Sequence, residues 1–111
     1  MSEPIPFEAF QSVEMRVGTV THARLNDKAR VPAYVLDIDF GPMGVRTSSA
    51  QLTQHYAASD LIGMQIVAVV NLAPRRVAGV KSEVLILGST GNEGTTLLTP
   101  SQPASNGAQI G

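Results

Sequence analysis

The chain has 111 residues, 43% of them apolar and 15% charged, with a formal net charge of -1 and no cysteine. This implies one domain with a modest, largely aliphatic core. It excludes a disulfide framework and thiolate chemistry, and argues against a strongly basic, indiscriminate nucleic-acid binder.

No apolar run approaches the roughly 20 residues of a membrane-spanning helix. The opening "MSEPIPFEAF" has no basic region followed by an apolar stretch, so a cytoplasmic location is expected. Pro6 suits the first turn of a short helix, and Phe7 and Phe10 share one face of it. That face serves either as a cap on the sheet or as a subunit contact.

"VEMRVGTVTHA" alternates, with Val13, Met15 and Val17 on one side and Glu14 and Arg16 on the other, which predicts a half-buried strand. Gly18 within it suggests a bulge or tight curvature. "HARLNDKARVPA" is polar and reads as a loop carrying Lys28 and Arg30. In "AYVLDIDFG", Tyr34, Leu36, Ile38 and Phe40 face inward and Asp37 and Asp39 outward. "GPMG" turns the chain into "VRTSS", so residues 34–49 form a hairpin.

"SSAQLTQHYAASDLIG" is the longest helical candidate, with Ser48 as cap, Gln51 completing a capping box, and a second short turn capped by Ser59 or Asp60. "MQIVAVVNL" reads as a strand covered on both faces. After the basic loop come "SEVLILG", the turn "GNEG" and the short strand "TTLLTP". The tail "SQPASNGAQIG" is either a packed irregular arm or loosely ordered. Five or six short strands with one central helix exclude a doubly wound sheet and predict an all-β, small closed or partly open barrel, to which a five-stranded OB barrel is the topological analogy. Its short helix lies between strands 3 and 4, after an N-terminal helical turn.

An enzyme has little to stand on. Ser48, Ser49 and Ser82 sit in no strained glycine elbow, and neither His22 nor His55 lies beside one of them in the sequence. Asp37 and Asp39 alone make a weak metal site. No catalytic residue, metal or cofactor is expected. Six donors suit phosphate: Lys28, Arg30, Arg46, Arg75, Arg76 and Lys81. They form one patch only if the 24–30 and 71–83 loops share a side of the barrel. Stacking aromatics are scarce, which disfavours unpaired bases but not a folded RNA. Arginines beside Val77, Ala78 and Val80 also suit a peptide groove, or those valines simply pin the loop.

The segments "MRVGTV", "ARVPAYVLDIDFG", "TSSAQLTQHY", "LIGMQIVAVVNLAPRRVAGVKSEVLILG" and "LLTP" resemble the tRNA-binding domain superfamily, and within it the CsaA-type secretion chaperones. The resemblance covers residues 7–110 as a single domain. It implies an OB-fold homodimer, with Phe7 and Phe10 at the subunit contact. It implies a chaperone that binds unfolded preproteins and the ATPase of the Sec export pathway, with tRNA binding in some members as the alternative. The ligand surface it implies comprises Ser48, Ser49, Gln51, Asn71, Arg75, Arg76, Ser82 and Glu83, with Lys28, Arg30, Arg46 and Lys81 as a basic patch. The sequence departs from the family pattern at Val31, where a lysine is common, and at Leu72 and Ala73.

Overall fold

The computed structural model describes residues 2–111. The strand β2 (Tyr34–Asp39) buries Tyr34, Leu36 and Ile38, and Phe40 follows them into the core. A single 3-10 turn, Gly41–Met43, reverses the chain into β3 (Val45–Ala50). Gly41 (φ 64°) and Gly44 (φ 83°) bracket that turn in left-handed conformations that side chains rarely adopt.

The longest strand, β1 (Met15–Leu25), serves two partners. Its first residues pair with β4 (Gln65–Val69), and Thr19 to Leu25 pair with β2. With β7 (Leu85–Ile86) the antiparallel sheet has the order β3-β2-β1-β4-β7. It rolls until β3 approaches β7, giving the nearly closed five-stranded OB barrel that the sequence predicts.

β1 runs further than its polarity suggests. His22 to Leu25 belong to the strand, because their backbones pair with Tyr34 to Asp37; Ala23 packs against the core while His22, Arg24 and Leu25 are exposed. The register shift lies between Val20 and His22, not at Gly18. Gly18 instead lets two core side chains approach: a Cβ there would lie 2.6 Å from Ile38 Cγ2 and 2.8 Å from Phe40 Cε1. Gly18→Val should therefore cost about 1–3 kcal/mol of stability through overpacking, read as a lowered urea midpoint.

The central helix is much shorter than the sequence predicts. Ser48 lies in β3, and α2 is only Ala58–Leu61. Ser48 does not cap a helix because its hydroxyl is drawn into the barrel wall, where it donates to the Val84 carbonyl. The N-cap of α2 is Ala57, not Ser59 or Asp60; Asp60, at the third helical position, accepts the Ala57 N–H at 2.9 Å and so fixes the chain's entry into α2. Leu52 and Tyr56 share one turn, and the Tyr56 hydroxyl accepts the Leu97 N–H at 3.0 Å. This bond ties in β9 (Gly94–Leu97), which pairs with β8 (Gly88–Gly91) around the "GNEG" turn.

The two chain ends behave differently. The tail is a packed arm: Gly107 N–H donates to Val17 O, Ala108 O accepts Val17 N–H, and Ile110 N–H donates to Met15 O. Gln65 clamps Ala104 at both its N–H and its carbonyl. By contrast, α1 (Phe7–Gln11) buries none of its residues. Phe7 and Phe10 touch each other, ring centres 5.9 Å apart, and do not cap the sheet. Among the described residues no helix is long and apolar enough to cross a membrane.

Candidate functional site

The gap between β3 and β7 is bridged mainly by side chains. Ser48 Oγ donates to Val84 O at 3.1 Å, Ser49 N–H to Ser82 Oγ at 3.0 Å, and Thr47 N–H to Glu83 Oε1 at 3.1 Å. One backbone bond, Glu83 N–H to Thr47 O at 2.8 Å, completes the seam. Side-chain acceptors satisfy the β3 edge where a neighbouring strand would otherwise do so.

Beside this seam stands a hairpin of β5 (Arg75–Val77) and β6 (Val80–Ser82). Its turn, Ala78 and Gly79, has both residues at positive φ (48° and 82°), the geometry that matches the twist of a two-residue hairpin loop. Strand alternation separates the two adjacent arginines. Arg75, Val77, Val80 and Ser82 share the face toward the barrel; Arg76 and Lys81 are directly opposed on the other face.

Seam and hairpin enclose a groove of about 300 Å³. Its polar lining is Ser49, Gln51, Arg75, Ser82 and Glu83, and its apolar walls include Leu72, Ala73, Val77 and Leu85. Leu72 and Leu85 are 50% and 52% exposed. A second hollow of about 360 Å³ continues past Leu85 toward Thr95 and Leu97 and shares Ser49, Ala50 and Gln51 with the first.

Five of the residues implied as a ligand surface thus meet in one groove, and three do not. Ser48 is 1% exposed and spent on the seam. Asn71 accepts the Glu14 N–H and donates to Ser12 O, pinning the start of β1. Arg76 faces away from the groove.

The basic residues divide similarly. Loop 26–33 does lie against the hairpin: Asn26 Nδ2 donates to Ala78 O at 3.4 Å, and Lys28 Cδ lies 3.7 Å from where a Gly79 Cβ would be. Lys28 therefore joins Arg76 and Lys81 at the hairpin. Arg30 is exposed on the same loop. Arg46 sits near the other end of β3, its guanidinium beside Val45 O. Two residues escaped the sequence reading. Leu85 lies within an apolar run that reads as buried throughout. Arg24 shares a hollow of about 510 Å³ with Gly79 and Val80, and only the extension of β1 places it there.

Asp37 and Asp39 have structural duties. Asp37 accepts the Thr47 hydroxyl at 3.0 Å, and Asp39 accepts the Gly41 N–H at 2.8 Å. Among the described residues no serine hydroxyl bonds a histidine, and no three His, Asp or Glu side chains are grouped as metal ligands.

Residues 15–109 match the family model described as "Putative tRNA binding domain". The chain belongs to this tRNA-binding domain family. Within the family it resembles the CsaA chaperone of Bacillus anthracis, at 51% identity and a TM-score of 0.93 over 98% of this chain and 100% of that one. It also resembles the CsaA chaperone of Picrophilus torridus, at 38% identity and a TM-score of 0.91 over 97% and 100%. The methionine–tRNA ligase of Flavobacterium johnsoniae is 35% identical over 107 residues. That match takes in 96% of this chain but only 15% of the ligase. The CsaA type inferred from the sequence is therefore upheld by both sequence and fold.

Proposed function

We propose that this protein is a dimeric chaperone that holds unfolded preproteins and assists their export, acting in the cytoplasm and handing clients to the Sec-pathway ATPase. The observation that carries the reading is the seam groove, where exposed Leu72 and Leu85 flank Arg75. A holding function needs apolar breadth and modest specificity, and has no use for a catalytic centre. The likeness to two CsaA chaperones supports it. The test is light scattering of an aggregating preprotein: suppression at stoichiometric dimer is expected, and no suppression contradicts the reading.

The dimer is supported by the N-terminal segment. Phe7 is 67% exposed, and Ile5, Phe10 and Val13 are exposed beside it. Such an apolar cluster is costly in water and suits a self-complementary contact. Replacing Phe7 and Phe10 together by glutamate should halve the mass in sedimentation equilibrium without unfolding the barrel. Two grooves on one dimer would hold a long client more firmly than either alone.

A second reading, structure-specific tRNA binding, is favoured by Arg76 and Lys81 projecting together with no carboxylate partner among the described residues. The double variant Arg76→Ala, Lys81→Ala should flatten the salt dependence of tRNA affinity by about 2 in log–log slope. An unchanged slope removes these residues as phosphate contacts.

A further inference from the structure

The charges around the groove are one-sided. Among the described residues the ion pairs within 4.0 Å are Arg16–Glu14 and His22–Asp37, and neither involves the hairpin. Arg75 lines the groove unpaired. Behind it, Arg76 and Lys81 are cross-strand neighbours of like charge, an arrangement that is destabilising unless something anionic arrives. Lys28 lies against the hairpin turn and adds to the same field. The one carboxylate in the groove lining, Glu83, is turned toward β3, where its Oε1 accepts the Thr47 N–H. The hairpin therefore carries Arg75 on its groove face and Arg76 and Lys81 on the face behind, while the opposite wall of the groove, at Leu85, is apolar.

Resting on the holding function proposed above, we infer that the groove selects extended polypeptide segments in which apolar side chains are flanked by acidic residues, and disfavours segments flanked by lysine or arginine. The apolar side chains lie against Leu72 and Leu85, a carboxylate beside them meets Arg75, and one further along the segment, past the hairpin edge, meets Arg76 and Lys81. Complementary rim charges contribute specificity more than affinity, and salt weakens them. A basic flank meets repulsion from the same three or four cations. A preprotein would then be held through an acidic stretch of its mature chain, leaving a positively charged leader free.

The test uses two labelled peptides with one apolar core, flanked by aspartates or by lysines, and fluorescence anisotropy with the full-length protein. The acidic-flanked peptide should bind about fivefold tighter or more, and 0.5 M salt should erase most of the difference. The preference should shrink in Arg75→Gln and reverse in the double variant Arg76→Glu, Lys81→Glu, each checked by its thermal melt. Equal binding, or tighter binding of the lysine-flanked peptide, overturns the inference and leaves the holding function standing. Failure of both peptides to bind overturns the holding function and this inference with it. Displacement of both peptides alike by tRNA, with no difference between them, assigns the cations to phosphate and overturns it too.

Discussion

Phe40→Ala should lower the stability of this domain by about 3–5 kcal/mol, more than any other single core truncation. The chain has three phenylalanines, and Phe7 and Phe10 are exposed on α1, so Phe40 is the only one in the core. It is fully buried, lies over Gly18, and follows β2 where the chain turns toward β3. Its carbonyl also lies 2.6 Å from where a Cβ at Gly107 would be, so the C-terminal arm packs against the same residue. Removing the ring leaves a cavity beside Gly18, which has no side chain to fill it. A domain of this size has about 5–15 kcal/mol in total, so the variant should sit close to unfolding. Urea denaturation measures it; a loss under about 1 kcal/mol would show that the arm and β1 collapse into the space.

Leu85→Asp should abolish client holding while leaving the fold intact. The Leu85 backbone pairs with Val69, but its side chain is half in water and divides the two hollows of the seam. The substitution removes an apolar anchor and places a carboxylate under a client's apolar side chain. Losing burial of one leucine alone is about 1.5–3 kcal/mol, at least a tenfold loss of affinity. The new carboxylate also lines the same groove as Arg75, so it would weaken the field that selects acidic flanks. Anisotropy with an unfolded preprotein segment reads the loss, and an unchanged melting temperature separates it from unfolding. Undiminished client binding would place the site elsewhere.

Local chemistry made some of this architecture legible in the sequence. The alternation of Tyr34, Leu36, Ile38 and Phe40 needs no distant partner to be read, and Gly41 with Gly44 marks the turn that follows. Where the sequence misled, a long-range contact had overridden a local preference. Ser48 looks like a helix cap, yet its hydroxyl is needed by Val84, 36 residues away. His22 to Leu25 look like loop because one side of β1 faces solvent there. The polar tail gives no pattern of its own, since its order comes from Gln65, Val17 and Thr19. In the site, Arg75 and Arg76 read as one basic feature, and the pairing of β5 with β6 assigns them to opposite faces. Asn71 carries a binding chemistry that the fold uses for holding Glu14 and Ser12.

An isotope-labelled sample titrated with an unfolded preprotein segment would map the contact directly by amide chemical shifts. Perturbations should concentrate at Ser49 and Gln51, from Leu72 to Val77, and from Ser82 to Leu85, along the side-chain-bridged gap in the barrel wall. Perturbations centred instead on the outer sheet face around His22, Val35 and Asp37, with the gap silent, would contradict the assignment of that gap as the client site.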